Sequence, residues 1–473
     1  MENSKYVKIP LAIDIVRGFF MFNILDRRID KFILLTVDLF IIFLTYVLAF
    51  FLRYENITAR NWESFLALAP WILLISLFFL TVYELYTLNR KSIWDVVRSI
   101  FVATTFITFL TMAASFIFRE FALPRSVIVI SYFLMIGLLS GWKFIYSKCK
   151  RDYKAGTTLL IGSQVEFAKI DMSFLGAIKW KHVQPDQSLE EIIAQMNKVD
   201  SVIITPELLE EKKAQIIYQA MKQNKIVYVV PSLYDLLLSK SIITSLDDTM
   251  VLAVKPFGLP ADQRLIKRVF DMIFSFLFLV LLSPIFLFVC FMIKFEEPKG
   301  RIIFRQKRIG QHGNEFQIYK FRSMIEDAEV HTGPIIAKQN DSRITRVGRL
   351  LRLTRIDELP QLFNVLIGDM SLVGPRPERE YFTKQFVQQF ESYEYRHVVK
   401  PGITGYAQVM GKYTTDVEDK LRYDLHYIRN YSLLLDIIIM LRTIIVLLDK
   451  TKAEGKEKPV KVKKGDSKFP VNY

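Results

Sequence analysis

The stretch LIKRVFDMIFSFLFLVLLSPIFLFVCFMIKF, Leu265 to Phe295, is long and apolar enough to cross a bilayer, yet it is basic at both ends. Arg264, Lys267 and Arg268 stand at its start, and Lys294, Lys299 and Arg301 at its end. Basic flanks favour the cytoplasm, so a simple crossing would put one of them on the wrong side. Ser283-Pro284 near the centre resolves the conflict, because proline removes a backbone donor and bends a helix. The segment 262–295 is therefore expected to be a re-entrant membrane helix that enters one leaflet, breaks at Ser283 and Pro284, and returns. The Ser283 hydroxyl is placed to satisfy backbone groups freed at the break. An ordinary kinked span is the competing reading.

Upstream, four apolar stretches of spanning length follow one another: Phe32 to Phe51, Phe65 to Leu85, Ile100 to Phe118 and Val127 to Ile145. They predict a four-helix transmembrane domain over 32–150, after a cytoplasmic segment 1–31. Arg27, Arg28 and Lys31 before it, Arg90 and Lys91 within it, and Lys148, Lys150, Arg151 and Lys154 after it place both ends of the bundle in the cytoplasm. The bulk composition agrees, with 51% apolar and 14% aromatic residues in 473, too greasy for a solvated protein. The net charge of +15 comes without a zinc-finger, homeodomain or RNA-recognition signature, so a lipid surface and phosphorylated substrates are its expected partners, and nucleic acid is not. Cys149 and Cys290 give no disulfide framework, and the five histidines have no metal-ligand spacing. The first thirty residues lack the apolar run and small-residue cleavage site of a signal peptide.

Between the two membrane segments, residues 155–256 alternate as a soluble α/β domain. Strands are expected at Thr158–Ile161, Ser201–Ile204 and Ile226–Val230, with a helix from about Glu207 to Gln223. Gly162 ends the first strand, but Ser163-Gln164-Val165-Glu166 follows it without the further glycines of a dinucleotide site. The domain is read as Rossmann-like but degenerate, structural or regulatory, without NAD. Residues 296–450 form a further domain, expected to be mainly helical, and the Lys-rich stretch 451–473 a flexible tail against the membrane.

Chemistry concentrates in Thr354-Arg355-Ile356-Asp357-Glu358-Leu359-Pro360-Gln361-Leu362-Phe363-Asn364-Val365-Leu366-Ile367-Gly368. Apolar spacing predicts a helix that Gly368 ends and in whose first turn Pro360 must lie. Asp357 and Glu358 then sit at its N-terminus, where unpaired amides favour carboxylates and phosphate alike. The bland alternative is a capping box between Thr354 and Asp357, without chemistry. Against it stand Arg352 and Arg355 just before, Asp369 just after, and Gly374-Pro375-Arg376-Pro377, where Pro375 and Pro377 stiffen a loop carrying one arginine, the placement a fixed phosphate contact needs.

Lys267-Arg268-x-Phe270-Asp271, Leu282-Ser283-Pro284, Phe304 to Gly310, Lys320 to Met324, Asp357 to Val365, Gly368 to Pro377 and Lys400 to Gly405, in that order, resemble the bacterial sugar transferases. More narrowly the chain is similar to the large monotopic polyprenyl-phosphate hexose-1-phosphate transferases, the WbaP-like phosphoglycosyl transferases. The resemblance implies transfer of a hexose 1-phosphate from a UDP-sugar to undecaprenyl phosphate at the bacterial inner membrane, with the catalytic domain on its cytosolic face. It implies a ping-pong reaction in which Asp357 is the covalent nucleophile and UMP leaves. Glu358 would help hold Mg²⁺ and activate the acceptor, and Arg352 and Arg376 would bind phosphate. Lys320 and Arg322 are further phosphate candidates, with a membrane-facing role as their alternative. Asp369, Pro375, Pro377, Asp424 and Tyr427 complete the implied substrate site. Met410-Gly411-Lys412 departs from the Asn-Gly-Arg of many relatives and is read as bearing on sugar choice. The pathway served is exopolysaccharide, capsule or O-antigen synthesis, and a homodimer stays open. The rival readings are a non-catalytic membrane scaffold or regulator, which the intact Asp-Glu pair and Pro-Arg-Pro loop oppose, and a nucleotide-sugar oxidoreductase, which the missing glycines oppose.

Overall fold

The computed structural model describes residues 27–87, 92–118, 123–153, 157–163, 179–325, 341–411 and 415–449. The loop bases Arg90, Lys91, Arg119 and Lys154, the segment Gln164 to Glu166, Lys412, residues 1–26 and the basic tail lie outside the described residues. The chain divides into two compact units, Met1–Ala155 with Asp171–Ile178, and Gly156–Ile170 with Lys179–Tyr473.

Among the described residues the first unit has four helices, α1 (Arg27–Arg53), α2 (Ala59–Val82), α3 (Ile93–Ile117) and α4 (Arg125–Tyr153). Each contains a window long and apolar enough to cross a membrane, as the sequence leads one to expect, and the protein is a membrane protein. Their outward faces carry Phe40, Trp71, Phe109 and Phe133, all more than half exposed, which only a lipid environment makes inexpensive. Inside lies a charge pair that local pattern did not reveal: Lys143 Nζ donates to Asp38 Oδ2 at 2.6 Å, with both residues buried. Lone charges are costly at this depth, so each is tolerable only through the other.

In the second unit, a parallel sheet runs in the order β2-β1-β3-β4. Its elements are β1 (Thr157–Ile161), β2 (Lys179–Val183), α5 (Leu189–Met196), β3 (Ser201–Ile204), α6 (Glu210–Lys222) and β4 (Ile226–Val229). Leu159, Ile161, Val202 and Ile204 pack with Ile192, Met196, Ile216 and Ala220 into its core. At the end of β1, where a dinucleotide fold receives phosphate, Glu207 accepts hydrogen bonds from the Ser163 amide (2.9 Å) and hydroxyl (2.8 Å). After α7 (Leu233–Leu238) comes a two-stranded hairpin, β5 (Ile242–Leu246) with β6 (Thr249–Ala253).

The apolar segment Leu265–Phe295 is two helices, α8 (Ala261–Leu281) and α9 (Ser283–Glu296), bent by 59° at Leu282. Pro284 falls in the first turn of α9, where its missing N–H costs nothing, and the Ser283 hydroxyl donates to Val280 O at 2.8 Å. α8 is polar inside and apolar outside. Lys267, Asp271 and Ser275, spaced by four, are buried, while Leu265, Ile273, Phe276 and Leu281 are exposed.

The domain from Gly300 is mixed α/β with helix predominating, in keeping with the expected mainly helical domain, and its strands form two two-stranded sheets. β7 (Ile303–Ile309) and β8 (Glu315–Phe321) form a seven-residue antiparallel hairpin. The interleaved charges of Arg305, Lys307 and Lys320 hide its alternation in the sequence. There follow α10 (Arg346–Thr354), α11 (Gln361–Ile367), β9 (Ser371–Val373), α12 (Glu380–Gln389), β10 (Gly402–Thr404), α13 (Tyr406–Met410), α14 (Val417–Arg429) and α15 (Leu433–Leu448). β9 and β10 pair in parallel. Leu362, Val365, Met370, Val373, Tyr427 and Ile439 form the core, onto which Phe270, Phe274 and Phe278 of α8 pack.

Candidate active site

Asp357 and Glu358 are delivered by a sharp reversal. α10 starts at Thr345, whose Oγ1 accepts from Gly348 N at 2.9 Å, and its first amides, Arg346 and Val347, donate to the Glu296 carboxylate at the end of α9. It stops where Arg355 takes the left-handed conformation (φ 59°), and a single 3-10 turn, Ile356–Glu358, follows. Pro360, at φ −59°, opens α11 and Gly368, at φ 109°, closes it, as the spacing of these residues predicts. The alternative capping box does not form, because Thr354 is the last residue of α10 and its hydroxyl donates to Leu350 O.

The α11 terminus is not what holds the charge of Asp357 and Glu358. α11 has only seven residues, too few for much of a dipole, and the carboxylates are held by side chains instead. Lys320 Nζ and Arg376 NH2 each donate to Glu358 Oε1 at 2.8 Å, with the Arg355 guanidinium at 4.0 Å. Burial alone would push Glu358 upward, but Arg376 and Lys320 outweigh it and hold the carboxyl well below the usual range. Asp357 is only 7% exposed, and among the described residues its Oδ1 has no hydrogen-bond partner. Burial first, and the adjacent Glu358 charge second, raise it to about 6. Two neighbouring carboxyls are thus driven apart, one firmly ionised and one poised to take or release a proton near neutrality.

Each cation is fixed from behind. Lys320 lies on β8, which α11 grips through Asn364: its Nδ2 donates to Gln317 O (2.7 Å) and its Oδ1 accepts from Tyr319 N (3.0 Å). Arg376 sits between its two prolines, as expected, and three further contacts hold that loop. Gly402 N donates to Pro375 O, Arg396 NH2 to Arg376 O, and Arg308 NH1 to Pro377 O. Gly374 must be glycine, since a Cβ there would stand 2.4 Å from Lys400 O. Arg308, Lys320, Gln361, Arg376 and Pro377 with Ile318 line one small recess beside the dyad, and Pro375, Pro377 and Arg396 line a neighbouring one.

The remaining predicted residues divide. Arg352 faces the site: its charge acts on Asp357, and its Nε donates to Ser323 Oγ at 2.9 Å. Arg322 pairs with Glu297 at 2.7 Å, beside Gly300. Asp424 and Tyr427 are buried in the protein rather than open to substrate. Asp424 accepts two hydrogen bonds from Arg396, and the Tyr427 hydroxyl lies 2.8 Å from Asp436 Oδ1. Asp424 therefore acts through Arg396 on the backbone of Arg376. Asp369 is half-buried at the end of α11, with Lys400 as a charged neighbour. Met410 Sδ accepts from Arg442 NH1. Arg308 and Arg396 are site residues that sequence reasoning missed, whereas Arg355, noted there beside the dyad, stands 4.0 Å from Glu358. Arg308, which burial and the nearby Arg376 lower to about 10, lies inside the quoted run Phe304 to Gly310, whereas nothing local marks Arg396.

Residues 262–450 match the family model described as bacterial sugar transferase. A 40% identity over 195 residues covers 40% of this chain and 97% of an exopolysaccharide production protein, PSS, of Rhizobium leguminosarum bv. phaseoli. The chain belongs to the bacterial sugar transferase family. Within it, this sugar transferase is 47% identical over 186 residues to a UDP-N-acetylgalactosamine-undecaprenyl-phosphate N-acetylgalactosaminephosphotransferase of Aeromonas hydrophila, covering 39% of this chain and 44% of that one. It is 36% identical over 267 residues to a UDP-glucose:undecaprenyl-phosphate glucose-1-phosphate transferase of Escherichia coli (strain K12), covering 54% and 57%. The chain thus spans about half the length of these two relatives. The names of these relatives support the resemblance to the WbaP-like phosphoglycosyl transferases, and the family match at 262–450 contains the dyad.

Among the described residues no three His, Cys, Asp or Glu side chains gather as a metal cage. A magnesium ion seldom needs one, since it takes one or two carboxylates and completes its shell with water and substrate phosphate. Glu358, whose contacts with Lys320, Arg376 and Arg355 fall on Oε1, offers its other oxygen to that sparse donor set.

Proposed function

We propose that the protein transfers a sugar 1-phosphate from a UDP-sugar to undecaprenyl phosphate, at the cytosolic face of a bacterial inner membrane, as a step of polysaccharide synthesis. One observation carries the reading: a buried Asp357 oxygen left without a partner, next to a glutamate pinned by two cations. A carboxylate kept free of donors at such a site is a nucleophile in waiting. The Asp357 oxygen attacks the sugar-linked phosphorus. The phosphorus–oxygen bond to UMP breaks, UMP takes the electron pair, and an aspartyl-phosphosugar remains. An oxygen of the lipid phosphate then attacks the same phosphorus and releases the carboxylate. Arg376, Lys320, Arg308 and Arg352 offset the charge of the transferring group. Glu358 would help hold Mg²⁺, which when bound would supply further charge neutralisation.

The bent pair α8–α9 is read as re-entrant, supported by its 59° break, by the basic residues at both ends and by the Ser283 bond that satisfies the bend. That geometry returns the dyad's domain to the side of the membrane from which the segment entered. The α/β sheet is read as a degenerate Rossmann-like domain, its phosphate position taken by Glu207.

The test is a half-reaction. With UDP-sugar and Mg²⁺ but no lipid, the protein should release UMP in a burst and retain sugar phosphate, and mass spectrometry should place the adduct on Asp357. An adduct on another residue, or turnover by Asp357→Asn, would exclude this mechanism.

A further inference from the structure

Lys267 and Asp271 at the start of the first membrane limb are buried and Arg268 is half-buried, although basic residues there would serve as topology signals if merely exposed. Each instead engages an element of the active site. The Arg268 guanidinium donates to Val365 O (2.5 Å) and Leu366 O (2.7 Å), the last carbonyls of α11 before Gly368. Asp271 Oδ1 accepts from Leu372 N at 3.1 Å, in the middle of β9, which leads into Gly374-Pro375-Arg376-Pro377. Lys267 Nζ donates to Asp436 Oδ2 at 2.6 Å, and Asp436 Oδ1 meets the Tyr427 hydroxyl, itself 3.2 Å from Val373 O at the end of β9. One helix face therefore holds the far end of the dyad's helix and the strand before Arg376.

We infer that Arg268 and Asp271 are positioning residues, through which the membrane limb α8 sets the separation of Asp357 from Arg376. This rests on the reading of those two as nucleophile and phosphate contact. The physical reason is geometric. α11 is short and β9 has three residues, so neither carries its own rigidity. A shared helix packed against both, through Phe270, Phe274 and Phe278, supplies it. Rate responds steeply to such spacing, since about 1 Å of misplacement costs up to on the order of 100-fold.

The competing account is that Arg268 supplies only a positive charge and Asp271 only a negative one. Arg268→Lys separates the two, because lysine keeps the charge and the topology but does not span both carbonyls with a planar fork. Asp271→Asn keeps an acceptor for Leu372 N without the charge, and Asp271→Leu removes both. In lipid nanodiscs, UMP release by Arg268→Lys should lose about tenfold in kcat with KM for UDP-sugar within about twofold. Asp271→Asn should retain most of the kcat that Asp271→Leu loses. Flanking tags and thermal midpoints should report unchanged topology and folding for Arg268→Lys and Asp271→Asn, which suffice if Asp271→Leu does not fold. A wild-type kcat for Arg268→Lys, or equal losses in Asp271→Asn and Asp271→Leu, overturns the inference. Failure of the underlying mechanism looks different: the wild type then gives no Asp357 adduct.

Discussion

Asp357→Asn should make the protein more stable as it makes it inactive. The wild-type carboxyl is raised from 3.8 to about 6 because burial and Glu358 oppose its ionisation. An acid with a raised folded-state value destabilises the fold wherever it is ionised, so its contribution is best below the unfolded value and is lost as pH rises through the folded one. The loss is complete above about pH 6 and amounts to about 3 kcal/mol. Asparagine has the same shape without the charge and escapes that cost. For a domain of this size, 3 kcal/mol corresponds to roughly 6–12 °C in Tm. The same arithmetic leaves about half the gain at pH 5 and little near pH 4. Thermal unfolding of both proteins in nanodiscs, at pH 7.5, 5 and 4, measures it. A variant no more stable than wild type at pH 7.5, or a gain that does not shrink with acid, would refute the burial argument.

Three other outcomes follow from the geometry. The acid limb of kcat/KM for UMP release should have its midpoint near pH 6, since the nucleophile must be ionised, and a limb near pH 4 would place its titration elsewhere. Arg396→Met leaves Asp424 buried without its cation and should cost about 3–5 kcal/mol, read as a fall in Tm, whereas Arg396→Met with Asp424→Leu should recover much of it. Pro284→Leu should convert part of the population to a full crossing, so that a tag after Arg301 becomes accessible from the far side while one before Arg264 does not.

The sequence made legible what local chemistry dictates. Pro360 and Gly368 bracket α11, Ser283-Pro284 marks the break, and Ser201–Ile204 is a strand to the residue. It hid elements whose apolar period is interrupted by charge: β2 reads Lys-Trp-Lys-His-Val, β7 carries Arg305, Lys307 and Arg308, and β8 carries Glu315 and Lys320. It also hid pairings between distant residues. Asp38 with Lys143, Lys267 with Asp436 and Arg396 with Asp424 are invisible to any window of ten residues. That is why Asp424 reads as a substrate residue in the sequence and as a brace in the fold.

The salt links that pin Glu358 also decide what the site ignores. Lys320 and Arg376 already hold a carboxylate that is tethered to the same chain, and tethering gives it an effective concentration in the millimolar range or above. A dilute chloride, sulfate or free phosphate ion does not displace such a resident, whereas a diphosphate brings several charges to bear at once. Glutamate therefore works as an internal competitor that keeps the cations from filling with the wrong anion between turnovers. Glu358→Gln removes the competitor and leaves two exposed positive groups, so UMP should inhibit the variant at lower concentration than it inhibits the wild type. The slowest enzyme would then be the one that clings hardest to its product.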